Sequence, residues 1–365
     1  MLYIHIPFCR KKCPYCDFYS ITYHQELAEN YINVLSGQIA ELDGRFSTIY
    51  IGGGTPSVLS WRLLAKLLES IKPSRKVEFT IEVNPESLDK EKLKLFLDNG
   101  VNRISIGVQS LRGDKLKKLE RIHSTADALS AIDESSSAGF ENISIDLMYG
   151  VWGETLSSWQ SELKRAVTLP IQHISAYGLT IEKNTLLFNR GILLDDGPPS
   201  EMYKFNLEFL PQQGFNQYEV SNFSRHGFKC QHNLNYWENN SYVGVGAGAV
   251  SFKDGARTKN IADVNEYIAR VKSAKTVITF SESLSALERA KETAAIKLRT
   301  KKGVFFSDFY QKTGFHFLEW NKQGLLQLLE DGLLTYRKNE KGEKIGVFPT
   351  SKGFLFCDTI AIMCL

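Results

Sequence analysis

The 365-residue chain contains no run of roughly 18 apolar residues, so no segment is expected to cross a bilayer. Its opening, Met1-Leu2-Tyr3-Ile4-His5-Ile6-Pro7, lacks the basic start and long apolar stretch of a secretory signal and reads directly as a strand. Export is not expected, and a cytoplasmic location is. Cysteine is scarce: six in a chain this long are too few for a disulfide scaffold. An excess of charge of one sign is nearly absent, because 44 basic and 41 acidic residues leave only +3, which creates no whole-chain field for nucleic acid. No internal repeat or low-complexity segment occurs. What remains is an ordinary globular composition, 43% apolar and 23% charged, with length enough for one large domain or two smaller ones.

From residue 2 to about residue 180, short β-like runs alternate with segments of helical period, the pattern of a parallel sheet wrapped by helices. Strands are predicted at 3–6, 48–51, 77–83, 103–108, 143–148 and 173–177. Within 77–83, polar and apolar residues alternate strictly, which puts them on opposite faces. Between the strands, apolar residues recur every three or four positions, as in Leu27, Tyr31, Val34, Leu35 and Leu42, then Leu63, Leu64, Leu67, Leu68 and Ile71. Gly100 and Gly139 stand where helices should stop.

Six units of about thirty residues favour an α/β fold of the partial (β/α)6, TIM-like kind over an open doubly wound sheet, although periodicity alone leaves the two undecided. After 190 the rhythm changes. Residues 191–199 read as a loop, with Asp195-Asp196-Gly197 and Pro198-Pro199 as turn signals, followed by an amphipathic helix near 201–210 and a dense polar-aromatic stretch at 217–252. The tail reads as three helices and a hairpin around 338–343, a mainly helical, winged-helix-like module, expected to cap the open mouth of the barrel. The domain boundaries implied are 1–180 for the barrel core, 181–280 for an extension and 281–365 for the C-terminal domain.

Three of the cysteines crowd into Cys9-Arg10-Lys11-Lys12-Cys13-Pro14-Tyr15-Cys16, immediately after the first strand. That end of a strand carries chemistry in α/β folds. Spacings of three and two residues let a loop wrap one face of an iron–sulfur cubane, and thiolates are the ligands such iron prefers. Three ligands leave one iron open to chelation by the amino and carboxylate groups of a methionine moiety. Zinc is the alternative, but it usually takes two close ligand pairs, and no second Cys or His pair follows at short range. Cys230, Cys357 and Cys364 are dispersed and read as buried small residues or idle thiols.

The Cys-x3-Cys-x2-Cys loop, with Tyr15 before its third cysteine, resembles the signature of the radical S-adenosylmethionine superfamily. Gly52-Gly53-Gly54-Thr55-Pro56, after the second strand, agrees with it. That resemblance implies a radical S-adenosylmethionine barrel with a [4Fe-4S] cluster on Cys9, Cys13 and Cys16.

Over nearly all its length the chain is similar to the HemN/HemW family, through residues 3–9, Ile81-Glu82-Val83-Asn84-Pro85, residues 103–110 and Ile145-Asp146-Leu147-Met148-Tyr149-Gly150. The resemblance implies that Tyr3, Gly53 and Glu82 surround S-adenosylmethionine on the cluster. It also implies that Tyr15, Gly54, Thr55, Gln109, Arg121 and Asp146 lie where the family's oxidase binds a second molecule of cofactor. Each of these polar residues could instead be a satisfied solvent or capping contact.

Within the family, the oxidase branch has a further cysteine two positions after the third ligand and an N-terminal extension. Here Phe18 takes that position and the first strand opens at Leu2. His232-Asn233-Leu234-Asn235-Tyr236-Trp237 matches an element of the heme-trafficking branch, which implies a heme contact at His232. The alternative is that His232, Tyr236 and Trp237 only hydrogen-bond and pack beneath residues 244–248. The expectation is a heme chaperone with a heme-acceptor protein as partner, no nucleic acid, and any peripheral membrane contact made through a partner. The enzymatic alternative is oxygen-independent oxidation of coproporphyrinogen III, in which the cleaved cofactor would abstract hydrogen from a propionate before decarboxylation.

Overall fold

The computed structural model describes residues 1–42, 45–73, 77–194, 197–320 and 322–364; Asp195 and Asp196 of the expected turn lie outside them. Six parallel strands form where the β-branched runs predict them: β1 (Leu2–Ile6), β2 (Thr48–Gly53), β3 (Glu78–Val83), β4 (Arg103–Gln109), β5 (Ile143–Tyr149) and β6 (His173–Gly178). Three short strands complete the sheet: β7 (Asn216–Gln217), β8 (Asn222–Ser224) and β9 (Val243–Val245). The order is β9-β1-β2-β3-β4-β5-β6-β8-β7, with β9 parallel to β1 and the β8–β7 pair antiparallel at the other edge. Among the described residues β9 and β7 do not pair with each other, so the barrel is incomplete.

Side chains alternate across each strand. Ile4, Ile51, Phe79, Ile81, Ile104, Ile106, Ile145 and Ile174 are fully buried in one apolar cluster with the surrounding helices. Those helices are α1 (Gln25–Ala40), α2 (Trp61–Glu69), α3 (Lys90–Asp98), α4 (Thr125–Ala138), α5 (Leu156–Ala166) and α6 (Pro198–Gln212). They contribute Leu35, Leu64, Phe96, Ile132, Trp159 and Leu210. The alternate residues face the lumen and are polar. Register places Tyr3, Tyr50, Thr80 and Arg103 on one rung, with Glu82, Ser105, Ser144 and His173 aligned on the next.

After α6, helix α7 (Gln231–Trp237) packs on the N-terminal end of β2. The tail has winged-helix connectivity. Helix Ala286–Lys297 is followed by strand Val304–Phe305, helices Phe306–Thr313 and Lys322–Glu330, and strands Leu334–Lys338 and Lys344–Pro349; the last strand lies central in the sheet. It has its own core around Ala294, Leu298, Phe309, Leu328, Val347 and Ile360. The expected cap over the mouth is corrected by where this unit sits. It is fastened to the opposite side by the Lys297–Glu238 ion pair, by Asn239 Nδ2 donating to Thr293 Oγ1 (2.9 Å) and by Val220 N donating to Arg299 O (2.9 Å). Glu238 and Asn239 directly follow α7, so the side chains available for anchoring dictate the attachment. No helix among the described residues is long and apolar enough to cross a membrane.

One buried ion cluster ties together the loops that follow β4 and β5. Lys115 Nζ lies 2.7 Å from Glu154 and 2.9 Å from Glu162, with all three side chains buried, and 4.8 Å from the centre of the Trp159 ring. Glu162 also accepts from Leu111 N (2.6 Å), and Glu154 from Val151 N (3.2 Å). Removing the cation strands two buried carboxylates, so Lys115→Met is expected to lower the unfolding free energy by about 3–5 kcal/mol in denaturant titration. A loss below about 1 kcal/mol, the size of an exposed pair, would show that this cluster does not hold the loops.

Candidate functional site

The cysteine loop is shaped by its two ends. Phe8 and Cys9 pair in parallel with Ile21 and Thr22, so the chain leaves β1, turns through the three thiols and returns beside itself. Inside the turn, Cys16 N donates to Cys13 O (3.1 Å). The glycine loop after β2 lies directly on this strand: Gly54 N donates to Ile6 O (2.9 Å) and Thr55 N to Phe8 O (2.7 Å). A Cβ on Gly54 would stand 2.6 Å from Phe8 O. Gly53 adopts φ +115, a region that disfavours side chains, and a Cβ there would meet the His5 ring at 2.5 Å. The triple glycine is therefore set by close approach.

Together these loops open onto a cavity of about 440 Å³ at the C-terminal ends of the strands, lined wholly by residues between 9 and 180. Cys9, Cys13 and Cys16 border it, as do Tyr15, Gly53, Gly54, Thr55, Glu82, Gln109, Arg121 and Asp146. Of the residues singled out from sequence, Tyr3 and His232 lie outside it. Tyr3 donates to His5 Nδ1 (2.9 Å) and sits one rung lower in the lumen.

His232 is at the other end of the barrel. Its Nδ1 pairs with the hydroxyl of Thr48, the first residue of β2 (2.8 Å), and its Nε2 with Tyr236 OH (3.2 Å). The side chain is buried, and burial pushes its imidazole down to about 3, so the ring is neutral with both nitrogens engaged.

The thiols fit an iron–sulfur cluster better than a single ion. Among the described residues, no three His, Cys, Asp or Glu side chains converge on one metal position. A cluster that takes one thiolate per iron needs them spread around its face, and all three are partly exposed to the cavity. Two donors already point at the sulfurs: Thr55 Oγ1 to Cys9 (3.5 Å) and Arg121 Nη1 to Cys13 (3.4 Å).

Farther in, the wall carries two carboxyl groups and a guanidinium. Glu82 accepts from Tyr50 OH (2.7 Å) and Gly53 N (3.1 Å), and burial pushes its carboxyl up to about 7. Burial also raises Asp146. Arg121, which lines the cavity, donates through Nη2 to Gly107 O (2.9 Å), while its Nε is buried without a hydrogen-bond partner. Gln109, on the cavity wall, takes φ 62 where the β4–β5 register slips, a left-handed conformation that costs a residue with a side chain about 1–3 kcal/mol.

Sequence reasoning missed Asn84, Ser105, Met148 and Tyr177 on the cavity wall, and Tyr50 behind Glu82. Asn84 Nδ2 donates to Thr55 Oγ1 (3.1 Å). The signal for Asn84 was its place at a strand end beside Glu82; Tyr50 carried only the alternation that turns it inward.

This fold and cavity define a radical S-adenosylmethionine protein, which carries a [4Fe-4S] cluster and S-adenosylmethionine. The family model described as the Radical SAM superfamily matches residues 3–166, and that of the HemN C-terminal domain matches 284–340. The chain is 35% identical over 362 residues to "Heme chaperone HemW" of Lactococcus lactis, covering 96% of this chain and 93% of that one. It is 36% identical to the protein of the same name in Bacillus subtilis, covering 91% and 92%. Coproporphyrinogen III oxidase (HemN) from Escherichia coli shares the fold, with a TM-score of 0.86 at 22% identity over 100% of this chain and 89% of that one. The chain belongs to the HemW family.

Replacing Cys9, Cys13 and Cys16 together by Ala is expected to take anaerobically reconstituted protein from about four irons per chain to almost none, with loss of the visible cluster absorption. Because the thiols sit on a loop, far-UV circular dichroism should be unchanged. Iron retained by the triple variant would remove these residues as ligands.

Proposed function

We propose that this chain is a heme chaperone that binds heme, a [4Fe-4S] cluster and S-adenosylmethionine and transfers heme to an acceptor protein. The observation that carries this reading is similarity along more than nine-tenths of both chains to proteins named heme chaperones. A second supports it: Phe18, not cysteine, stands two positions after Cys16.

In this reading Cys9, Cys13 and Cys16 hold the cluster. When bound, the cluster supplies an open iron for the methionine end of the cofactor and an electron for its sulfonium. The chain's own residues bind and orient. The backbone of Gly53 and Gly54 admits the methionine moiety closely, Glu82 and Asp146 accept from hydroxyls, and Arg121 faces a carboxylate. Tyr15, Thr55 and Gln109 complete the wall, and Tyr3 supports it from below. We take 1–180 as the cofactor-binding core, 181–280 as its extension and 281–365 as the C-terminal domain.

Free thiols that must stay reduced favour a cytoplasmic setting. The tail is read as a protein-facing module, with no nucleic acid as partner: helix Lys322–Glu330, in the position a recognition helix takes, carries one basic residue and exposes Leu326. The retained cofactor cavity favours one rival, oxidation of coproporphyrinogen III to protoporphyrinogen IX.

Anaerobic, cluster-loaded protein titrated with heme and assayed separately for coproporphyrinogen consumption distinguishes the two. Stoichiometric heme uptake with no porphyrinogen product is expected. Sustained protoporphyrinogen formation with S-adenosylmethionine and a reductant would replace the chaperone by the enzyme.

A further inference from the structure

We propose that Tyr50 and His232 are positioning residues for the Glu82 carboxylate, so that the His-Asn-x-x-Tyr-Trp element acts on S-adenosylmethionine binding and not as a ligand to heme iron. This rests on the reading of Glu82 as the residue that receives the cofactor.

The argument starts from the cost of a carboxylate in the lumen. A buried, ionised side chain orients by its hydrogen-bond donors, and one left without them loses both ionisation and direction. Glu82 has one protein donor on each oxygen, Tyr50 OH on Oε1 and Gly53 N on Oε2. Gly53 is fixed by the cysteine strand. Tyr50 is fixed from below: its ring centroid is 5.0 Å from that of His232, with planes 32° apart, and 6.3 Å from that of Tyr3. His232 in turn is held at both nitrogens by Thr48 and Tyr236, and Glu78 accepts from the backbone N–H of Gln231 and of His232, each at 2.8 Å. A continuous line of contacts therefore runs from the start of α7 through one imidazole and one phenol to the cofactor carboxylate.

The same geometry argues against iron ligation. To bind a metal, His232 would surrender Thr48 or Tyr236 and would have to be reached at a side chain only 1% exposed, at the strand ends opposite the cysteine loop. Leaving either hydroxyl unpaired in the lumen is itself unfavourable.

The test uses cluster-loaded protein and radiolabelled S-adenosylmethionine in equilibrium dialysis from pH 6 to 9. Glu82 faces Asp146, which pushes its carboxyl up, and Arg103, which pulls it down; the phenols of Tyr3, Tyr50, Tyr177 and Tyr236 surround them, with titrations lying far above this range. A carboxyl pushed up to about 7 is half ionised there and progressively neutral below it, so affinity in the unaltered protein should fall as pH drops through it.

Tyr50→Phe removes a bond that favours the ionised form. The midpoint should therefore move to higher pH, with affinity at pH 7 down about fivefold for the first unit of displacement and about tenfold for each further unit. His232→Ala should move it in the same direction, His232→Gln should restore part of the shift, and heme affinity and Soret position should be unchanged in both His232 variants. A Tyr50→Phe profile superimposable on the original, or heme binding lost in His232→Ala with an unmoved cofactor profile, overturns the proposal. Glu82→Gln separates the two levels. If it binds the cofactor as tightly as the original at every pH, Glu82 is not the receiving residue and both readings fail; if it weakens binding while Tyr50→Phe does not, only the positioning role fails. Iron content and far-UV circular dichroism check that each variant is folded and loaded.

Discussion

A barrel whose inner face is polar must satisfy its own hydrogen bonds, and that constraint governs this molecule. Period-two alternation sends isoleucine and phenylalanine outward to the helices and sends Tyr50, Glu82, Arg103, Asp146 and His173 inward. The outer face needs only volume and apolarity. The inner face needs partners, because each unpaired polar group away from water costs about 1–3 kcal/mol. Several of its groups find them across strands: His173 pairs with Ser144 (2.7 Å) and Tyr218 (2.8 Å), Glu82 with Tyr50, and Thr48 with His232, whereas Thr80 Oγ1 and Arg103 Nε stay buried without one.

The mouth inherits its geometry from this lining. Glu82 reaches the cavity because Tyr50 occupies the space beneath it, and Gly52 has no side chain because a Cβ would stand 2.8 Å from the Glu82 carboxyl. The glycine loop then rests on the cysteine strand, which brings the thiols and the carboxylate to one opening. The floor is built differently. There α7 packs on the N-terminal end of β2, and the tail grips the residue after α7 through Lys297 and Lys302 on Glu238.

Features encoded by local period were legible in the sequence. All six long parallel strands appear within a residue or two of their expected limits, because β-branched runs bounded by glycine and polar turns leave little freedom. The cysteine and glycine loops were legible for a similar reason: their spacing is itself the geometry. What escaped depended on partners distant in sequence. Strand β9 is three residues inside a glycine-rich stretch and exists because β1 offers a free edge, with Leu2 opposite Val243. The tail's attachment away from the mouth is decided by Glu238 and its lysines, which no periodicity reveals. The sequence leaves His232 open between a heme contact and a packing residue, and its hydrogen bonds to Thr48 and Tyr236 depend on partners that its own motif does not single out. Gln109 was named through the family resemblance, but the register slip beside it leaves no mark on the residue pattern.

The same constraint explains why a protein of binding and transfer would keep the cofactor residues of an enzyme scaffold. Deleting Glu82 would strand the Tyr50 hydroxyl and the Gly53 amide, and deleting Tyr50 would leave a carboxylate oxygen without its donor and a gap above His232. In a network where each member satisfies another, loss of one raises the cost of those that remain. Cofactor residues in such a lumen are held by structural necessity as well as by use, so their presence marks capacity to bind and does not by itself establish turnover.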